Sequence, residues 1–247
     1  MDIRRYLERI HYHGSLEPTL ATLQALHEAH IHTVPFENLD ISLGRTIRLD
    51  EDSLYKKIIE QHRGGFCYEL NGTFALLLYT LGFRVDLLSA GVARAAGGFG
   101  PEFDHLTLLV HLGEDWLADV GFGDSFRQPL RLQTELIQEQ EWGRYRLERD
   151  GEYWILQEWH KEWKPGYRFT LQTHALNDFS SMCHYHQTSP ESGFTKKRIC
   201  TLATSYGRIT LSDFRLITTE HGTREERELA DQEEYNALLS EQFDIML

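Results

Sequence analysis

Phe66, Leu70, Phe74, Leu77 and Leu81 recur at spacings of four, four, three and four, which places them on one face of an α-helix. Gly82 follows where a C-terminal cap belongs, so the pattern predicts a helix over about Phe66 to Leu81. Upstream, Ile3, Tyr6, Leu7 and Ile10 make a short amphipathic face expected to end at Gly14. Leu20, Leu23, Leu26 and Ala29 mark a second helix opened by Glu17-Pro18-Thr19. The segment Val34-Pro35-Phe36-Glu37-Asn38-Leu39 interrupts helicity at the proline. Asp50 or Asp52 can cap a third helix carrying Leu54, Ile58 and Ile59, which ends at Arg63-Gly64-Gly65. Residues 1 to about 82 therefore read as helical.

After Gly82 the texture changes to strand. Val85–Val92 is apolar and bounded by glycine, and Ala95–Pro101 is a glycine- and alanine-rich surface loop. His105–Leu112 and Asp115–Val120 flank Gly113-Glu114, a hairpin signal. Trp142–Leu147, Tyr153–Glu158 and Tyr167–Leu171 are further strand candidates, followed by Ile199–Ser205, Arg208–Leu211 and Phe214–Thr218. The polar stretch Arg224–Phe243 reads as a helical tail. Helices followed by spaced strands with turn signals indicate an α+β chain built on an antiparallel sheet or small barrel.

Composition narrows the partners. The chain has 247 residues, 41% hydrophobic and 26% charged, as expected of a globular protein with a substantial core. Its net charge of −13 argues against non-specific binding to nucleic acid or to an anionic membrane. No apolar run approaches the ~20 residues that cross a bilayer, and no signal peptide is legible after Met1. Cys67, Cys183 and Cys200 form an odd set without CxxC spacing, which speaks against a disulfide framework or a cysteine-rich zinc site. A reducing cytoplasm is the expected compartment. Cys183-His184-Tyr185-His186 supplies at most three nearby ligands, so no metal is expected.

Cys67 falls in the first turn of the predicted helix, directly after Arg63-Gly64-Gly65-Phe66. There, unpaired backbone N–H groups and the positive end of the helix dipole stabilise a thiolate and can hold a developing oxyanion. The two glycines permit a tight turn and a close approach of substrate to backbone. A lone cysteine at such a place is equally a small buried hydrophobe, and other residues must decide between the readings.

A thiol nucleophile needs a base, and the base an orienting partner. His105 and Asp119 are candidates because they occupy adjacent strand segments, although the chain has 13 histidines. Strand parity sets the condition. A two-residue turn at Gly113-Glu114 would pair Leu108 with Asp119 and leave His105 on the opposite face. A three-residue loop over Leu112–Glu114 would pair Thr107 with Asp119 and set His105 diagonally beside it, roughly 7–8 Å away at Cα and within side-chain reach. A Cys67–His105–Asp119 triad thus requires an odd loop or a bulge.

Several blocks in order carry a resemblance: RGGFCYELN at Arg63–Asn71, VPFENLDI at Val34–Ile41, WLADVGFG at Trp116–Gly123, and Ser189-Pro190-Glu191-Ser192-Gly193-Phe194. With these blocks the chain, from Tyr6 to about Phe194, resembles the arylamine N-acetyltransferases. The resemblance implies a three-part fold with a cysteine-protease-like core: a helical bundle over residues 1–83, a β-barrel domain over 84–190, and a mixed α/β lid over 191–247. It implies that Cys67 is the nucleophile, His105 the base and Asp119 its partner. It also implies acetyl-CoA as acyl donor and an aromatic amine or hydrazine as acceptor. Phe36 and Phe122 match aromatic residues set against the acceptor ring, Glu37 and Arg63 an acid–base pair near the site, and Gly121 and Gly123 a place for the acetyl-CoA tail. The lid ends at Leu247, earlier than is common in the family, which implies a more open cofactor cleft. Arg94, Arg127 and Lys196–Arg198 are the basic residues available for CoA phosphates. A hydrolase or amide synthase on the same thiol scaffold, or a non-catalytic binding protein, stands as the alternative.

Overall fold

The computed structural model describes residues 1–247 and opens with helices α1 (Ile3–Arg9) and α2 (Leu20–Thr33). Helix α1 stops before Gly14 because His11 adopts a left-handed conformation, φ 52°. Thr19 caps α2 through the Thr22 amide, as the Pro-Thr signal predicts. A two-residue strand β1 (Phe36–Glu37), a turn of helix α3 (Leu39–Ser42) and helix α4 (Glu51–Tyr55, continued as a π-helical turn over Lys56–Glu60) lead to α5 (Cys67–Thr80). Asp50 caps α4.

Helix α5 is buried on nearly every side. Phe66, Leu70, Phe74 and Leu77 are fully buried, packed with Tyr6, Leu23, Leu26 and Ile58 from the helices and with Val85, Leu106 and Leu108 from the strands. A helix buried all round belongs inside a core, and here it forms the joint between the helical part and the barrel.

The barrel strands are β2 (Arg84–Val92), β3 (His105–His111), β4 (Asp115–Ala118), β5 (Leu130–Arg131), β6 (Gln138–Gln140), β7 (Gly143–Asp150), β8 (Tyr153–Trp159) and β9 (Trp163–His174). They pair antiparallel in the order β5-β4-β3-β2-β9-β8-β7-β6 around a second core of Leu109, Leu117, Tyr145, Leu156, Tyr167 and Phe169. Strand β9 extends past the predicted Tyr167–Leu171 because Pro165 lies where the β8–β9 register shifts, so its missing N–H interrupts no regular ladder. Side chains close the seam between the outer strands β5 and β6. The Gln138 amide bonds the Arg131 main chain in both directions, and the Gln140 amide bonds the backbone of Arg127 and Gln128.

After a 3₁₀ turn (Leu176–Phe179), α6 (Ser180–Thr188) returns to the helical core through Phe179 and Cys183, and α7 (Gly193–Lys196) follows. Strands β10 (Ile199–Thr204), β11 (Gly207–Ser212), β12 (Arg215–Glu220) and β13 (Thr223–Glu228) join β1 in a five-stranded sheet backed by α8 (Gln232–Phe243). The expected helical tail over Arg224–Phe243 is thus half wrong. Residues Thr223–Glu228 are strand because His221 and Gly222, both at positive φ, turn the chain back along β12. That register sets Arg215 opposite Glu228, a favourable cross-strand charge pair that sequence periodicity does not reveal. No helix is long and apolar enough to cross a membrane.

Beneath the start of α5 lies a buried ion cluster. Arg63 donates to Glu37 Oε1 through Nε (3.0 Å) and Nη2 (2.7 Å), and its Nη2 lies 3.0 Å from Asp40. Lys57 Nζ is 2.8 Å from both Asp40 and Glu69. Three carboxylates face two cations here, and burial, reinforced by Glu37 and opposed by Lys57, pushes Glu69 up to about 7. Glu69 Oε2 in turn accepts from the Phe66 amide at 3.1 Å, tying the cluster to the helix start.

Arg63→Ala strands a buried Glu37 and is expected to lower stability by about 3–5 kcal/mol in urea unfolding; a loss below 1 kcal/mol would show the pair is not carrying the joint. Burial also lowers His27 to about 4 and His30 to about 3. Both lie below the ordinary histidine value, so the stability linked to them is complete above about pH 6.5 and is lost as pH falls toward these folded-state values. The urea midpoint is expected to fall below pH 6.5, and less steeply in His30→Phe; equal steepness in the variant would count against this assignment.

Candidate active site

Cys67 is the first residue of α5, and Phe66, extended at φ −95° and ψ −173°, brings the chain into the helix. The intrahelical bonds begin with the Glu69 and Leu70 amides on Phe66 O, so the amides of Cys67 and Tyr68 sit at the open end of the helix. The preceding glycines serve the chain's own packing. A Cβ on Gly64 would stand 1.9 Å from the Pro35 carbonyl oxygen, and one on Gly65 would collide with Glu69. Gly64 thus lets the backbone just ahead of β1 approach, and Gly65 the Glu69 side chain.

Strand β3 meets β4 in the register His111 opposite Asp115 through Leu108 opposite Ala118, leaving the three residues Leu112–Glu114 as the loop. The odd loop is thereby realised, with Gly113 at φ 79°. His111 fixes it, its Nδ1 2.6 Å from Asp115 and its Nε2 2.9 Å from Asp86. One step beyond Leu108–Ala118, Thr107 falls beside Asp119 and His105 diagonally next to it. The side chains meet: His105 Nε2 lies 2.6 Å from Asp119 Oδ2, with both residues buried.

Cys67 lies beside this pair: a Cβ on Gly121, two residues after Asp119, would come within 2.8 Å of Cys67 Cα. Burial pushes the Cys67 thiol well above its ordinary value, opposed by the Leu106 backbone and reinforced by Asp119. An isolated thiolate is therefore disfavoured, and the charged form the site can hold is one paired with a cation. Asp119 is held below the usual carboxylate range: burial opposes this, but His105, Asn71 and the Gly121 amide outweigh it.

Three supporting residues escape sequence reasoning. Asn71 Nδ2 donates to Leu106 O at 2.6 Å and to Asp119 Oδ1 at 2.8 Å, while its Oδ1 accepts from the Val120 amide at 2.9 Å. One side chain thus binds the helix of Cys67 to the strand of His105 and the loop of Asp119. Its spacing of four from Cys67 is the signal that could have found it. Tyr68 donates to the carbonyls of Phe103 (2.6 Å) and Asp104 (3.2 Å), just ahead of His105. His27 Nε2 accepts from the Asp119 amide at 3.0 Å, and its Nδ1–H serves the Arg127 carbonyl at 2.8 Å. Nothing in the sequence distinguishes His27 from other histidines on an apolar helix face.

Phe36 and Phe122 both line a narrow cleft, together with Val34, Asp119, Gly123 and Arg208. Phe122 packs edge-on against His105, with ring centroids 5.2 Å apart, and against Tyr167 at 4.9 Å. Gly123, at φ 90°, comes close to the Phe36 ring. The Gly121 amide is spent on Asp119 Oδ1 at 2.9 Å. Of the basic residues, Arg127 is buried, donating to the Thr204 and Gly207 carbonyls and lying over the Trp142 ring, so its guanidinium is committed to the fold. Arg198 stacks on Phe214 and Tyr235.

Comparison with known proteins identifies the family and the fold. A family model described as N-acetyltransferase matches residues 19–247. The arylamine N-acetyltransferase of Escherichia coli K12 is 37% identical over 246 residues, covering 98% of this chain and 88% of that one. The solved arylamine N-acetyltransferase from Salmonella typhimurium superposes with a TM-score of 0.93 at 35% identity, over 98% of this chain and 90% of that one. The Mycobacterium marinum enzyme solved in complex with CoA superposes at 0.92 with 32% identity, over 99% and 93%. The chain belongs to the arylamine N-acetyltransferase family.

Proposed function

We propose that this protein transfers an acetyl group from acetyl-CoA to the amino group of an aromatic amine or hydrazine, through an acetyl-thioester on Cys67. The observation that carries the reading is the meeting of three separate elements at one point: the N-terminus of α5 with Cys67, the His105–Asp119 contact of 2.6 Å, and Asn71 tying both together. Family membership and the CoA complex of a relative support the donor.

Asp119 occupies His105 Nε2, which leaves Nδ1 as the nitrogen free to take a proton. In the first half-reaction Nδ1 takes the Cys67 proton, and the thiolate attacks the thioester carbonyl. The developing oxyanion is met by the amides at the start of α5. The C–S bond to CoA breaks, the imidazolium returns the proton to the departing sulfur, and acetyl-Cys67 is left. In the second half-reaction the amine nitrogen attacks that carbonyl and gives its proton to His105. The C–S bond to Cys67 breaks, and the proton passes back to the sulfur, restoring the thiol. Exchange between two thioesters is nearly balanced, and formation of the amide drives the sequence forward.

Asp119 stabilises the imidazolium and holds its ring, and Asn71 and His27 in turn hold Asp119. Phe36 and Phe122 offer apolar faces for the acceptor ring. Gly123, without a Cβ, leaves room in the cleft wall for the acyl-CoA arm, while Gly121 allows the loop to close on Cys67.

Incubation with acetyl-CoA is expected to add one acetyl group to Cys67, detected by peptide mass and discharged by an aromatic amine. Cys67→Ser should abolish the adduct, whereas Cys183→Ser and Cys200→Ser should retain it. Asp119→Asn, which offers His105 an amide instead of a carboxylate, should slow acetylation by on the order of 10⁴. No adduct with any short acyl-CoA would overturn the reading, and discharge by water alone would turn it into a hydrolase.

A further inference from the structure

The five-stranded sheet turns one face toward the cleft. Phe36 lies opposite Thr201, and Ala203 opposite Arg208, so these four share that face and line the cleft together with Asp119 and Phe122. Arg208 is thus a cation set into a largely apolar wall, its side chain only 12% exposed. Its Nη1 donates to Thr201 Oγ1 at 3.2 Å. Its Nε is buried and lies 2.9 Å from Asp124 Oδ1, but without the alignment of a hydrogen bond. Asp124 itself is 79% exposed. A buried guanidinium therefore leans on a solvent-facing, poorly aligned counterion.

This contact ties the Gly121–Ser125 loop to β11, and residues of both line the cleft. The space the cleft encloses amounts to about 20 Å³, room for one water and far short of an aromatic ring. A ring needs the cleft walls further apart, and the Asp124–Arg208 contact joins two of them. A neutral ring that separates this contact would leave the guanidinium buried without a counterion, which is costly. A ring carrying a carboxylate brings the replacement charge with it, in the planar geometry a guanidinium matches with two bonds. In a chain of net charge −13, such a buried cation is also the feature that can draw an anionic substrate inward.

We infer that Arg208 is the acid-recognising residue of the acceptor cleft, with Asp124 as its resting counterion, so that carboxylate-bearing aromatic amines are favoured over neutral ones. The inference rests on the transferase reading above. The phosphates of CoA are the other oxyanions available, but they lie at the far end of the pantetheine arm, whereas Arg208 shares its cleft with Asp119.

The test is the ratio of kcat/KM for 4-aminobenzoate to that for its methyl ester at saturating acetyl-CoA, with acetyl-Cys67 formation followed separately by mass. Arg208→Gln is expected to lower the ratio at least tenfold through the acceptor KM, and Arg208→Lys to restore part of it. Asp124→Asn removes the competing carboxylate at an exposed position and should raise the ratio severalfold. A ratio unchanged in Arg208→Gln and Asp124→Asn overturns the inference. So does a loss that falls on the KM of acetyl-CoA equally with both acceptors, which would assign Arg208 to the CoA phosphates. Absence of acetyl-Cys67 in the unsubstituted protein overturns the transferase reading, and this one with it.

Discussion

The 2.6 Å contact between His105 and Asp119 constrains everything around it. An imidazole and a carboxylate placed on neighbouring strands meet only when both side chains leave the same face of the sheet. That condition fixes the β3–β4 register, the register fixes the three-residue loop, and the His111–Asp115 pair closes that loop. Shifting the pairing by one residue would turn Asp119 to the other face of the barrel. The hairpin is therefore as much a part of the site as the side chains it carries.

A second constraint is burial. Cys67, His105 and Asp119 all lie out of solvent, where an unpaired charge is unfavourable. Burial pushes the thiol up, while the contacts around Asp119 hold that carboxylate down. The site thus favours its anion on Asp119 and disfavours one on sulfur. Asn71 contributes to this by spending both ends of its amide on the three elements that must not drift apart. On the other side of the helix start, the cluster of Glu37, Asp40, Glu69, Lys57 and Arg63 binds α5 to β1 and α4, so Cys67 is anchored from below as well.

Much of this was legible in the chain itself, for identifiable reasons. The α5 face is a regular repeat of large apolar residues, and a helix that carries one announces both its length and its buried side. The hairpin around Gly113 was visible as two apolar runs with a glycine between them. The tail was misread because Arg224–Glu228 is polar at every position; an exposed edge strand and a solvated helix leave the same pattern. The glycines before Cys67 suggest a close approach of substrate to backbone, whereas in the packed structure Pro35 and Glu69 are what approach them.

The sequence by itself determined the change from helix to strand near Gly82, the place of Cys67 at a helix start, and the two alternatives for the hairpin. Those features depend on local periodicity and backbone preference, which neighbouring residues encode. The tertiary structure alone decided between the two registers, and it alone brought His27, Asn71 and Arg208 to their partners. Their contacts join residues far apart in the chain, from Asn71 to Asp119 and from His27 to Arg127. A polar residue's partner depends on which groups folding leaves unpaired beside it, and no local pattern records that.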